Sequence, residues 1–393
     1  MKQRLKVGVV VPHIFMQDEV LPKVIFSPGT LAVDLVNGLH DAGHDVTLFS
    51  PGPVTVQCPN ITGDLSLFQA ELDRRGDTYI DLLRKHPMTF VTLARQVQAE
   101  LIADAYKRAN NNEFDIIHVY TNEEELGYVF ATLCQKPVVF THHDPYNFLV
   151  RYKSILPRYK HLNWISISMA QRQSMPSDTN WVGNVYHGLN EPKLTPVKNP
   201  SREYFAYLGR IIQPKGVHLA IAAVRKYNET SSHPLKLKIA GKHYAGSSKD
   251  NYWRTYIEPE LDDMIEYVGY IDTPEEKREF LGNARALLVP SLFDEPFGMV
   301  TLEAFACATP VVALDSGALP EVIRHGVTGF IVAKDDVEDK TISDLATALQ
   351  SIDTIDQRNC LSSYKNSFSI DRMIKEHEKI YVSCLATTKS NNN

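Results

Sequence analysis

The sequence predicts an α/β protein of two domains, each a parallel sheet covered by helices. The chain has 393 residues, more than one hydrophobic core usually organises. Short apolar runs alternate with helix-compatible segments in both halves, the rhythm of strand–helix–strand units. Between the halves, Leu194 to Arg202 carries Pro196, Asn199 and Pro200 and reads as a linker.

Composition narrows the function classes. A net charge of −6 argues against general nucleic-acid binding. Cys58, Cys134, Cys307, Cys360 and Cys384 are scattered, odd in number and free of any CxxC pair. Reduced thiols fit that pattern better than disulfides or zinc. The apolar run after MKQRLK stops at Pro12-His13, too short for the core of a signal peptide. No stretch approaches the length of a membrane span, and no repeat of solenoid-like period is visible. A cytoplasmic location is the expectation.

Taken in order, Leu5 to Val11 is a buried strand. A loop ending in Ser27-Pro28-Gly29-Thr30 precedes a helix to about Ala42, and Asp45 to Phe49 is the second strand. Backbone groups of Gly29 and Thr30 suit a phosphate or an acceptor; they suit a plain helix-start turn equally well. Ser66 to Asn111 is helical and mixed in charge. Phe114 to Val119 and Pro137 to Thr141 are strands, the second ending in Thr141-His142-His143-Asp144. Ligands of open parallel sheets bind at the carboxyl ends of strands. A metal site there is disfavoured, because neighbouring strand residues point to opposite faces. Trp164 to Ser168 is a strand, a helix follows from Met169, and Asn180 to Val185 leads into His187-Gly188-Leu189-Asn190, read as the domain junction.

The second domain opens with Phe205 to Gly209-Arg210, then Lys215-Gly216 and a helix. An Arg and a Lys at a strand-to-helix turn suit a diphosphate: Arg clamps two oxygens, and Lys supplies a point charge. Leu235 to Ala240 and Ile265 to Ile271 are further strands. Ala286 to Val289 is a short apolar strand, closed by Pro290-Ser291. Asp294-Glu295-Pro296 then punctuates the chain before a helix beginning near Gly298. The first-turn amides of Gly298, Met299 and Val300 suit a phosphate or hydroxyl-rich ligand. Glu295 and Glu303 invite comparison with a glycosidase pair. Eight helical residues separate side chains by roughly 12 Å along the axis and about 80° around it. Glycosidase carboxylates stand about 5 Å or about 6.5–9.5 Å apart, so the two read as separate ligand contacts. Ile342 to Ile352 and Ile370 to Leu385 are amphipathic helices. The expected division is 1–190, then 191–369, with the 370–385 helix returning to the first domain and 386–393 a disordered polar tail.

The run Glu295-Pro-Phe-Gly-Met-Val-Thr-Leu-Glu303, followed by Ala304, Cys307, Thr309-Pro310-Val311-Val312 and Gly317 to Glu321, resembles the E-x7-E signature of retaining glycosyltransferases of family 4. It is also similar to the hallmark of the wider GT-B group. Gly209-Arg210 and Lys215-Gly216 resemble the family's Gly-Arg…Lys-Gly loop. The departures are Pro296 and Ala308 in place of common glycines, a single Gly29 where a glycine pair is usual, and His187 and Asn190 in the Asn-Gly-x-Asp turn. The resemblance implies a GT-B fold, two Rossmann-like parallel-sheet domains facing across a cleft. It further implies metal-independent, retaining transfer from a nucleotide-diphosphate sugar, a UDP- or GDP-sugar, with no cofactor.

The acceptor would be a hydroxyl of a glycan, a lipid-linked sugar or a small molecule. Arg210, Lys215 and the Gly298–Val300 amides would meet charge on the leaving diphosphate, beside Gly209 and Phe297. Glu303 would hold the ribose and Glu295 the donor-sugar hydroxyls. Gly269, Tyr270 and Ile271 would lie near the base, and His143 near the donor sugar. The acceptor proton would leave through a donor phosphate oxygen. Rival readings are an epimerase or phosphorylase of the same fold, or a non-catalytic binding subunit. Arg151, Lys153, Arg158 and Lys160, with Tyr152, Ile155, Leu156 and Tyr159 among them, form either a basic, apolar surface for peripheral contact at the inner face of a membrane or a solvated helix face.

Overall fold

A computed structural model describes residues 3–24, 26–120, 125–243, 250–271 and 273–391, with side chains described up to residue 387. The chain divides into two units: Met1–Ile167 with Gln171–Tyr186 and Met373–Asn393, and Ser168–Ala170 with His187–Arg372.

The first unit is built on seven strands: β1 (Lys6–Val10), β2 (Asp45–Ser50), β3 (Asn60–Thr62), β4 (Ile116–Tyr120), β5 (Val138–Thr141), β6 (Asn163–Ser166) and β7 (Trp181–Asn184). They lie in the order β3-β2-β1-β4-β5-β6-β7, and every pair is parallel. β4 and β5 are buried along their whole length, as strands covered by helices on both faces must be. The segment between β3 and β4 holds three helices. Gly76 in the left-handed conformation ends Ser66–Arg75. A Thr78–Asp81 capping box starts Tyr79–Lys85, and Pro87 opens Pro87–Asn110.

The second unit carries β8 (Tyr204–Leu208), β9 (Lys236–Ala240), β10 (Ile265–Gly269), β11 (Ala286–Val289), β12 (Val311–Leu314) and β13 (Gly329–Val332). Their order is β10-β9-β8-β11-β12-β13, again all parallel. In each sheet the first strand sits inside and the strand order reverses beside it, between β1 and β4 and between β8 and β11. The crevice at such a reversal is where open parallel sheets bind ligands.

Four expectations change. The first helix runs Ser27–Asp41, so Gly29 lies inside its first turn rather than in a preceding loop. Pro28 is tolerated there because a first-turn amide has no helical partner. The strand read as Ile265 to Ile271 stops at Gly269, where φ reaches +88°. The last helix spans Ile370–Asn391, although a disordered tail was expected from Ala386. No Gly or Pro follows residue 370, and extending an existing helix is far easier than starting one. Residues 392–393 lie outside the described residues. Finally, the basic stretch around Arg151 is no continuous surface. Tyr152 and Leu156 are buried in the core, Arg151 pairs with Glu125 at 2.8 Å, and Lys160 pairs with Asp178 at 2.5 Å. Phe148, Leu149 and Val150 are the exposed apolar residues instead. No helix among the described residues is long and apolar enough to cross a membrane.

The last helix completes the first unit. Tyr381 Oη lies 2.7 Å from His118 Nδ1 in β4, and Thr141 Oγ1 lies 2.8 Å from Nε2 of the same ring. The Leu5 amide donates to His44 Nδ1, so His44 Nε2 carries the proton that bonds Glu378 at 2.6 Å. A Cβ at Gly183 in β7 would fall 2.2 Å from Ile380 Cδ1, so glycine there lets the Ile380 side chain pack directly on the strand.

Ala308 follows the helix Met299–Ala306 with φ +59°, the left-handed stop that favours glycine. Ala308→Gly is therefore expected to stabilise the chain by about 1 kcal/mol, read as a higher urea midpoint at unchanged slope.

Candidate active site

The candidate site lies in the second unit, where the turns after β8 and β11 meet. Gly216 has φ +66°, and a Cβ there would stand 2.0 Å from the Pro290 carbonyl oxygen. The Leu292 amide donates to the Pro214 carbonyl at 2.8 Å. This contact carries Lys215 over the β11 loop. Its Nζ lies 2.5 Å from Glu295 Oε1 and 4.8 Å from the centre of the Phe293 ring. Ser291 Oγ donates to the same carboxylate oxygen at 2.5 Å. Glu295 is 5% exposed, so its charge needs both donors.

The turn after β12 holds Glu295 from the other side. Ala318 N donates to the Glu295 carbonyl at 2.8 Å. A Cβ on Gly317, φ +56°, would stand 2.2 Å from that same oxygen. Ser316 Oγ bonds the Phe293 carbonyl, and Lys334 Nζ reaches the Leu292 carbonyl and Ser316 Oγ, both at 3.0 Å.

Gly298 caps the helix Met299–Ala306 with φ +96°, and no side chain caps that end. The amides of Gly298, Met299 and Val300 thus have no side-chain cap, the kind of helix start that suits an anionic ligand. Thr301 Oγ1 is buried in this turn with no partner among the described residues. Glu303 accepts a 2.6 Å bond from Lys277 Nζ, a residue of the helix Pro274–Gly282. Burial works against the Lys277 ammonium, but the Glu303 carboxylate outweighs it and raises its pKa.

Arg210 is exposed and forms no ion pair among the described residues. At the end of β10, Tyr270 is 45% exposed, with Lys242 Nζ 3.9 Å from its ring centre; Ile271 is half-buried.

The other expected residues have the following surroundings. Phe297 is buried, its ring 4.9 Å from His187 and 6.2 Å from Phe368. An apolar ring between two tight turns packs inward. Glu295 stands in the loop before the helix, so helical spacing does not describe its relation to Glu303. Gly29 and His143 belong to the first unit. Gly29 packs under Leu21 and Phe26. His143 is buried at the end of β5, 4.5 Å from the Tyr120 ring, and His142 is a core residue between Tyr146 and Tyr152.

Lys277, Ser291 and Lys334 escaped the sequence reading. For Lys277 a signal existed: the Thr273–Glu276 capping box marks a helix start just after a strand end, the edge where ligands bind.

Residues 29–177 match the family described as Glycosyltransferase Family 4, and residues 193–352 match Glycosyl transferases group 1. Alpha-maltose-1-phosphate synthase of Mycobacterium tuberculosis is 30% identical over 201 residues, 44% of this chain and 48% of that protein. The chain thus matches about half the length of that relative. Among solved structures, sucrose-phosphate synthase from Thermosynechococcus elongatus is similar at a TM-score of 0.70 and 18% identity, over 98% of this chain and 100% of the other. Anabaena HepE in complex with UDP-glucose is similar at 0.65 and 15%, over 98% and 100%. These likenesses show the fold, the two Rossmann-like domains of the GT-B glycosyltransferases.

Gly216→Ala forces the two turns apart. It is expected to cost about 2–4 kcal/mol, measured by urea unfolding, and the remaining folded protein should show altered signals from Lys215 and Ser291 in side-chain NMR.

Proposed function

The chain belongs to glycosyltransferase family 4, and from that premise we propose that it moves a sugar from a nucleoside-diphosphate sugar to a hydroxyl acceptor, retaining the anomeric configuration and needing no metal. The observation that carries this reading is the Lys215–Glu295 pair at the switch point of the second sheet, 2.5 Å long and beside an uncapped helix start.

The donor would exchange partners with that pair. Its diphosphate draws Lys215 away and binds Arg210 and the Gly298–Val300 amides. Glu295, released, accepts hydroxyls of the donor sugar, while Glu303 accepts from the ribose. The bond from the anomeric carbon to the phosphate oxygen then breaks. The acceptor oxygen bonds that carbon on the same face, and its proton passes to a donor phosphate oxygen. Arg210, Lys215 and the amides stabilise the charge growing on the leaving group, electrostatic preorganisation that a side-chain acid need not supplement. In the first unit, His143 at the end of β5 is a further proposed contact for sugar hydroxyls. UDP or GDP is the proposed nucleotide, and HepE, which is similar in fold, was solved with UDP-glucose.

Partner exchange has a consequence for affinity. A diphosphate without its sugar takes Lys215 and leaves Glu295 buried with one donor fewer. Removing one partner of a buried pair costs about 3–5 kcal/mol, part of which the sugar hydroxyls restore. The intact nucleotide sugar is therefore expected to bind more tightly than the nucleotide, by thermal shift or calorimetry. Glu295→Gln should narrow that gap.

Turnover tests the clamp. Lys215→Ala is expected to lower kcat about 100-fold or more, with EDTA leaving the wild-type rate unchanged. Normal turnover in Lys215→Ala would remove Lys215 from the mechanism. A rate abolished by EDTA and restored by magnesium would overturn metal independence.

A further inference from the structure

We infer that Lys277 is a specificity-determining residue of the nucleotide site: with Glu303 it forms a paired donor and acceptor that reads a ribose diol. This rests on the proposed reading of Glu303 as the ribose contact and deepens it.

Lys277 Nζ lies 2.6 Å from Glu303 Oε1. Both residues stand within the first two turns of helices that follow strands, at the carboxyl-end edge of the sheet where ligands bind. The pair is partly withdrawn from water but open: the side chains are 27% and 14% exposed. Glu303 Oε2 accepts no hydrogen bond among the described residues, and two of the three Lys277 protons are likewise uncommitted. The ammonium also lies within electrostatic reach of Tyr270, on the loop at the end of β10, and of Glu191.

The chemistry of this pair differs from that of a lone carboxylate. A carboxylate only accepts, so alone it would take the protons of both ribose hydroxyls. Here one carboxylate oxygen is already held by Lys277. The other accepts from one hydroxyl, and the ammonium donates to the oxygen of its neighbour. A diol offers a donor and an acceptor side by side, and the pair presents their complement. Lys277 also cancels the Glu303 charge next to a ligand that carries a diphosphate. A deoxyribose lacks one of the two hydroxyls, which would leave one member of the pair unmet. Sites built around a polar ligand group reject analogues that lack it, because the buried partner goes unpaired.

A structural tie between two helices makes a different prediction, and the ratio of two affinities separates them. Dissociation constants are measured by calorimetry for UDP, GDP and ADP, each beside its 2′-deoxy and 3′-deoxy counterpart. The proteins are the full chain, Lys277→Met, Lys277→Gln and Glu303→Gln. The wild-type chain is expected to prefer the ribonucleotide it binds over at least one deoxy form by about tenfold or more. Lys277→Met should lose most of that preference. Lys277→Gln, which keeps a donor and buries no charge, should lose part of it, and it carries the test should the Met variant fail to fold. Equal weakening of the ribo and deoxy forms in the Lys277 variants would make the pair a structural tie and overturn the inference. So would an unchanged ratio. A wild-type chain that binds none of the three nucleotides would overturn the nucleotide-site reading itself, whereas nucleotide binding that Glu303→Gln weakens and Lys277→Met does not would remove Lys277 alone.

Discussion

The approach of the Gly216 backbone to the Pro290 carbonyl is the constraint on which the candidate site depends. No side chain larger than hydrogen fits between them, so the turn after β8 lies directly on the loop after β11. That contact brings Lys215 to a carboxylate 80 residues further along the chain. Ser291 adds a second donor to the same oxygen. The turn after β12, through Gly317 and Ala318, then fixes the Glu295 backbone. Three strand ends therefore converge on one buried acid, and none of the three could be moved without disturbing the others.

The charged groups of the site divide by environment. Glu295 and Glu303 each hold a lysine within 2.6 Å, so their desolvation is compensated from within the protein. Arg210 has no such partner among the described residues and faces solvent. An anionic ligand approaching this edge meets an uncommitted guanidinium at the rim and self-neutralised pairs further in. On the proposed reading, long-range attraction would fall to Arg210 and close-range recognition to the paired residues.

What could be read from the sequence was local, and what could not was non-local. The apolar run Ala286–Val289 marks β11 to the residue, and the Asp-Glu-Pro-Phe-Gly punctuation marks the loop and helix start after it. Arg210, Lys215, Glu295 and Glu303 do lie at the carboxyl-end edge of one sheet. Their partners were hidden, because no spacing rule links Lys215 to Glu295 or Lys277 to Glu303; the sheet order does that. Phe297 is a related case: a motif names a residue but not the direction it faces, and this ring is buried. The stretch around Arg151 also carries a local signal. Tyr152 and Leu156 are four residues apart, the spacing of a buried helical face, and both are in the core.

The first unit is discontinuous along the chain, and this bears on how the protein is made. Its seven strands are all synthesised by Asn184, yet the helix that supplies Glu378, Ile380 and Tyr381 arrives only after the whole second unit has been translated. Until then His44 and His118 in the nascent first unit lack their partners on that helix, and the surface at Gly183 is bare. Ribosomes deliver domains from the amino end at about 5–20 residues per second, so the gap of nearly two hundred residues lasts on the order of ten seconds or more. For all of that interval the seven-stranded sheet stands without its last helix, and the second unit, which ends at Arg372, is complete only a few residues before Glu378 of that helix follows.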